Sequence, residues 1–146
     1  MDNIQMECFN KIKHCLIGLF LLVCFSFSST VSALDKSQLS SATADGVHFR
    51  VSYKSKVEPL PLNHIHSWIL HVETLDGKPL GNAEISVYGG MPAHKHGLPT
   101  EPVVTRIGEG DYLVEGLKFS MSGKWQVWFN IRNNEITDKI KFEIEF

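Results

Sequence analysis

Cysteine is missing from the sequence after position 24. The three cysteines, Cys8, Cys15 and Cys24, all lie near the start of the 146-residue chain. A chain from which this segment has been removed can form no disulfide, so its stability must come from a hydrophobic core. Such a chain also has no thiolate, which leaves methionine and histidine as its ligands for a soft metal ion.

The sequence also lacks an apolar run of the ~20 residues that a membrane-spanning helix requires. Its longest apolar run, residues 15–25, follows Lys11 and Lys13 and continues through serine and threonine to Ala33. This order of basic residues, apolar core and small-residue cleavage site predicts a signal peptide over residues 1–33. We therefore expect a periplasmic or secreted protein that is free of the membrane after cleavage. An uncleaved anchor and a lipoprotein acylated at Cys24 are the alternatives.

Charge of one sign is not concentrated anywhere in the rest of the chain. Beyond residue 33 there are 12 Lys and Arg residues against 14 Asp and Glu residues, interspersed along the sequence. Nucleic-acid binding needs a clustered basic face, so no nucleic-acid partner is expected. A Gly-x-Ser-x-Gly elbow and a glycine-rich phosphate loop are also missing, and the carboxylates are scattered. We therefore expect a protein that is not an enzyme, with a small exported enzyme as the remaining alternative.

Hydrophobic residues recur with a period of two from Val47 to the end of the chain, which predicts half-buried strands. About seven short strands, frequent turn signals and no helical stripe favour an all-β, immunoglobulin-like β-sandwich over residues 46–146. A cupredoxin-like Greek key or a small barrel is the alternative fold. Tyr112 follows Gly110-Asp111, which suits a tyrosine corner. Residues 34–45 are short, polar and rich in serine and alanine, and are interpreted as a flexible lead-in.

Histidine and methionine are concentrated in one predicted loop, residues 89–102. Met91, His94 and His96 lie within six positions of one another, among glycines and prolines. Thioether and imidazole donors together favour copper, because methionine sulfur selects the monovalent ion and imidazole accepts either copper state. Further candidate ligands are His64 and His66, at the start of a strand, and Met121, in a turn. The sequence therefore predicts a copper ion as cofactor.

Each of these residues also has a structural interpretation. His94 and His96 are alternatively solvated loop residues, and Met91 alternatively fills the end of the core. A second functional hypothesis is an interaction module without metal, in which the exposed aromatic residues Tyr88 and Trp128 dock a partner.

Four segments of the sequence resemble the YtkA-like/FixH-like group of small exported bacterial proteins. They are HSWILHVE (residues 66–73), DGKP (76–79), GGMPAHKHGLPT (89–100) and GDYLVEGLKF (110–119), with SGKW (122–125) as an extension. The resemblance implies an immunoglobulin-like sandwich outside the cytoplasmic membrane, with Met91, His94 and His96 as motif residues. It further implies a part in copper supply, with an envelope metalloprotein or an oxidase assembly factor as partner. Lys95 departs from a metal-binding pattern unless its ammonium group points to solvent.

Overall fold

The computed structural model describes residues 41–146, and β-strands joined by turns and loops are the regular secondary structure in that range. The strands are β1 (Ser41–Asp45), β2 (Phe49–Ser55), β3 (His66–Thr74), β4 (Glu84–Met91), β5 (His96–Gly97), β6 (Val103–Arg106), β7 (Asp111–Leu117), β8 (Lys124–Asn133) and β9 (Ile136–Glu145). The signal peptide predicted over residues 1–33 lies outside the described residues. Nothing in residues 41–146 forms a helix that could cross a membrane.

The strands form two sheets of the immunoglobulin type. One sheet has the order β1-β2-β3-β7-β6 and the other has the order β5-β4-β8-β9. All pairs of neighbouring strands in both sheets are antiparallel. The orders β2-β3-β7-β6 and β4-β8-β9 are those of the two packed sheets of an immunoglobulin domain. The additional strands are β1, at the edge of the first sheet beside β2, and β5, at the edge of the second sheet beside β4. The predicted all-β sandwich is confirmed.

The core lies between the inner faces of the two sheets, and β3 and β8 supply its centre. Trp68, Leu70 and Val72 of β3 are fully buried. The four fully buried residues of β8 are Trp125, Val127, Phe129 and Ile131. Side chains between them on each strand point to the outer faces, as the period of two requires. Because these large aromatic and branched residues fill the interior, the sandwich needs no disulfide to be compact.

One segment near the start of the described residues is more regular than the sequence predicts. Residues 41–45, interpreted above as part of a flexible lead-in, form β1 and pair with β2 from Ser41↔Lys54 to Asp45↔Arg50. The lead-in interpretation is therefore wrong for these five residues. The alternating pattern is present in them, but its inward members are Ala42 and Ala44, which are too small to give a clear hydrophobic signal. An edge strand is held mainly by its backbone pairing, which needs no large side chain.

Tyr112 connects the two sheets, as the tyrosine corner predicts, but its partners are distant in sequence. Its phenol donates a hydrogen bond of 2.6 Å to the Leu80 carbonyl oxygen, 32 residues earlier, and accepts one of 2.9 Å from the Ala83 backbone N–H. Leu80 and Ala83 lie on the connection that crosses from β3 to β4. The phenol therefore positions the start of β4, the strand that leads to the histidine and methionine cluster.

Candidate metal centre

The predicted loop that contains Met91, His94 and His96 is a tight hairpin between β4 and β5. The backbone N–H groups of His94 and Lys95 each donate to the Met91 carbonyl oxygen over 3.0 Å. Lys95 has a φ of 56°, in the left-handed region that closes the turn. Met91 and His96 then face each other as a cross-strand pair. The sequence predicts a loop over residues 89–102, and the structure corrects this for Gly90–Met91 and His96–Gly97, which pair as strands because Gly90 lets β5 approach closely.

Gly90 is required at this point in β4. A Cβ atom added to it would lie 2.4 Å from the His96 carbonyl oxygen, so any other residue would push β5 away. Because β5 contains only two residues, it has few other contacts to hold it in place. The glycine therefore fixes the position of His96 relative to β4.

Met91 forms the floor of the hairpin. It lies on the inner face of β4 and is only 2% exposed. Its terminal methyl group points towards Gly123, where an added Cβ atom would come within 2.7 Å of it. Residues directly opposite each other in an antiparallel pair share a face, with Cβ atoms about 4.5–5.5 Å apart. The Met91 side chain therefore starts beside that of His96.

His94 and His96 are both exposed and lie close together. Their ring centroids are 5.9 Å apart, with the ring planes tilted by 36°. With a metal–nitrogen bond of about 2.0 Å, a ring centroid lies about 3.2 Å from the ion, so two imidazoles on one ion have centroids at most about 6.4 Å apart. The observed separation is within that limit. The distance between the two rings therefore allows both to reach one ion.

The hydrogen bonding of His96 also suits a metal ligand. Its Nδ1 lies 3.2 Å from the Gly97 carbonyl oxygen. When Nδ1 carries the proton and donates to this carbonyl, Nε2 has the free lone pair. A backbone carbonyl that orients the imidazole in this way is a common arrangement around metal-bound histidine.

Trp125 forms a wall behind His96. The indole is fully buried, and the His96 ring meets it in an edge-to-face contact with centroids 5.5 Å apart. The indole Nε1–H donates to the Met121 carbonyl oxygen over 3.0 Å. Trp125 thus links the hairpin to the turn that contains Met121 and Gly123. The sequence gives no sign of the contact between Trp125 and His96, because it depends on how β8 and β5 are arranged.

His66 lies in the core and does not face the hairpin. It is 4% exposed, and its ring packs against Phe119 with centroids 5.4 Å apart. Phe119 in turn contacts Trp125, so two aromatic rings stand between His66 and His96. The Nδ1 of His66 lies 3.2 Å from the His64 carbonyl oxygen, whereas its Nε2 has no partner among the described residues. Burial lowers the pKa of His66 below its ordinary value, against a smaller opposing effect of the hydrogen bond to His64.

The other two predicted ligands have different surroundings. His64 is exposed before the start of β3, and its Nδ1 lies 2.9 Å from the Leu62 carbonyl oxygen. Met121 is 43% exposed in the turn before β8. Within residues 41–146, no three His, Cys, Asp or Glu side chains come close enough to hold a metal ion together. Of the predicted ligands, the structure brings the rings of His94 and His96 together and pairs His96 with Met91 across the two strands.

Lys95 lies on the outer side of the hairpin. With Tyr88, Gly90 and Trp128 it lines a shallow depression of about 230 Å³ on the outer face of the four-stranded sheet. Met91 and His96 line the same depression, so Lys95 lies beside two of the candidate ligands. The Lys95 side chain is exposed.

The fold defines a small β-sandwich of the immunoglobulin type, and two exposed histidines lie in its β4–β5 hairpin. The family model described as YtkA-like matches residues 41–129, and the chain belongs to this family. The expected family is thus confirmed. Among solved structures, a DUF4426 family protein from Pseudomonas aeruginosa PAO1 is similar, with a TM-score of 0.54 and 12% sequence identity over 73% of this chain and 94% of that chain. At this identity the likeness shows the fold alone. Curated proteins provide no match.

Proposed function

We propose that this chain is an exported, non-catalytic copper-binding domain that holds monovalent copper at the β4–β5 hairpin. The ligands are the imidazoles of His94 and His96, with the Met91 thioether as a third donor from below. Export rests on the leader sequence of residues 1–33. The partner with which copper is exchanged is then an envelope metalloprotein or an oxidase assembly factor.

The observation that carries this proposal is the placement of the two imidazoles. A ring separation of 5.9 Å within one hairpin lets both rings bind one ion, and the exposure of both leaves the ion accessible to a partner. The cross-strand pair of Met91 and His96 adds a soft sulfur on the same face. Two imidazoles and one thioether suit monovalent copper, which accepts low coordination numbers and soft donors.

The burial of Met91 has a consequence for how copper binds. Because Met91 is only 2% exposed, its sulfur is shielded from water and would offer copper a thioether in an apolar environment. Thioether ligation in an apolar environment stabilises the monovalent over the divalent ion. We therefore expect the hairpin to bind copper(I) more tightly than copper(II) or zinc.

The test is an anaerobic competition titration of the full chain with copper(I) and a chromogenic chelator. The double variant His94→Ala/His96→Ala is expected to lose at least about 100-fold in affinity, because removing metal ligands costs more than the 10-fold to 100-fold effect of their outer partners. Met91→Leu conserves volume and is expected to lose about 10-fold. The control is His48→Ala, which removes an exposed imidazole elsewhere. Equal affinity of the wild type and the double variant would refute the proposal.

A further inference from the structure

Two aromatic residues stack against each other on the outer face of the four-stranded sheet. Tyr88 of β4 and Trp128 of β8 are cross-strand partners, and their rings are nearly parallel, with centroids 6.3 Å apart and an angle of 7° between the planes. Tyr88 is 41% exposed. We call these two rings and the lysines over them, Lys139 and Lys141, the aromatic platform. Large rings on an outer face, with no core to fill, are typical of contact surfaces.

The two lysines of the platform differ in their charge partners. Lys141 lies 5.5 Å from the centroid of the Trp128 ring, and its ammonium group also forms an ion pair of 2.9 Å with Glu143. The Lys139 ammonium group lies 4.5 Å from the Trp128 centroid and 5.1 Å from that of Tyr88. No carboxylate among residues 41–146 pairs with Lys139. Its charge is therefore held in place by ring faces and remains available to an external anion.

A second cation borders the same surface. The depression of about 230 Å³ extends from Tyr88 and Trp128 across Gly90 to Lys95 and His96. Because Gly90 has no side chain, the floor of this depression is low between the rings and the hairpin. Lys95 also lacks a carboxylate partner in the described part of the chain. An apolar floor thus lies between two cations that are free to bind carboxylates.

The outer face of the other sheet carries both paired and unpaired cations. There, Arg50 forms ion pairs with both Asp45 and Glu73, whereas no carboxylate among residues 41–146 pairs with the exposed Lys54. The unpaired Lys139 differs from Lys54 because its ammonium group lies over the Tyr88 and Trp128 rings. A free cation beside exposed aromatic rings therefore distinguishes the aromatic platform.

We propose that the aromatic platform docks an acidic, extended segment of a partner protein. Carboxylates of the segment pair with Lys139 and Lys95, and its apolar side chains lie on Tyr88 and Trp128. Aromatic anchors surrounded by complementary charge are the usual composition of a binding surface of this size. Docking requires no metal. A segment bound in the depression would lie next to His96. A role of the bound segment in copper exchange rests on the proposed function, whereas the docking does not.

The test is titration of the full, metal-free chain with two acetylated, fluorescently labelled octapeptides, DELFDELD and KKLFKKLK, followed by anisotropy. The acidic peptide is expected to bind, more weakly as salt is raised, and the basic peptide is not. Lys139→Glu is expected to weaken binding of the acidic peptide about 10-fold, because it replaces an attraction with a repulsion. Trp128→Ala is expected to weaken it by a similar factor. The matched control Lys54→Glu, on the outer face of the other sheet, is expected to bind normally.

Several outcomes would overturn the docking proposal. They are equal binding of the two peptides, an unchanged affinity in Lys139→Glu, and binding only to phosphatidylglycerol vesicles or to a second copy of the chain. Copper(I) affinity is measured on the same variants. If Lys139→Glu binds copper normally but neither it nor the wild type binds the acidic peptide, only the docking proposal fails. If His94→Ala/His96→Ala binds the peptide normally and copper as well as the wild type, only the copper proposal fails.

Discussion

His66 and His96 belong to the same band of aromatic contacts but have opposite environments. Both lie on the inner face of a sheet, and Phe119 and Trp125 form a continuous contact between them. His66 is on β3, in the middle of a five-stranded sheet, and is sealed by the rings around it. His96 is on the edge strand β5, so one side of its imidazole is open to water. In this domain, the position of the strand in its sheet therefore decides whether a histidine fills the core or is free to bind a ligand.

The largest expected effect on stability comes from removing the indole of Trp125, which lies between His66 and His96. Trp125→Ala should lower the free energy of unfolding by about 3–5 kcal/mol, because it leaves a large cavity in the core. The matched control is Trp128→Ala, on the outer face of the same strand, which should cost only about 1–2 kcal/mol, because it removes ring contacts with Tyr88 and Lys139 but leaves no cavity in the core. Urea denaturation followed by circular dichroism measures both. Equal losses in the two variants would mean that Trp125 does not support the core in this way.

A smaller effect of opposite sign is expected at His66. Replacing it with phenylalanine removes a buried Nε2 that has no partner among the described residues. His66→Phe should therefore raise the free energy of unfolding by about 1 kcal/mol, since an unsatisfied buried polar atom is costly. Copper(I) affinity should not change, because two rings separate His66 from the hairpin. A clear loss of stability, or a loss of copper binding, would contradict the assignment of His66 to the core.

The pH dependence of stability provides a further distinction. Burial holds the pKa of His66 below its ordinary value of 6.5 in the folded state, so the unfolded chain takes up its proton first as the pH falls. The contribution of His66 to stability is thus complete above about pH 6.5 and declines as the pH drops below it. Denaturation curves between neutral and mildly acidic pH should show this decline in the wild type. In His66→Phe the slope should be smaller, and an unchanged slope would assign the decline to other groups.

The smallest expected effect on stability is at His96. His96→Leu should change the free energy of unfolding by no more than about 0.5 kcal/mol, because the imidazole is exposed on a two-residue edge strand. The same substitution should nevertheless abolish tight copper(I) binding in the competition assay. Together with His66→Phe, it separates a histidine that affects only stability from one that affects only the metal. A loss of stability comparable to that of Trp125→Ala would show that His96 is part of the core.

Strands with large inward side chains are predicted more accurately from the sequence than strands with small ones. Strands with large inward residues, such as β8 and β9, are predicted from their alternation, because burying large apolar side chains dominates the energy of such strands. The strands β1 and β5 were missed. The inward residues of β1 are alanines, and β5 contains only two residues. Both strands are held by backbone pairing, which leaves no hydrophobic pattern in the sequence. The tyrosine corner was predicted from Gly110-Asp111-Tyr112, but not its partners 29 and 32 residues away.

For the candidate site, local sequence was informative about composition and uninformative about exposure. The sequence by itself determined that the domain is all-β, that it has no cysteine after position 24, and that Met91, His94 and His96 lie in one short segment. Only the tertiary structure decided that His96 is open, that His66 is sealed, that Met91 is a buried floor and that Lys139 lies over Tyr88 and Trp128. The physical reason is that alternation specifies which face of a strand a side chain occupies, whereas its exposure depends on which strands and rings cover that face.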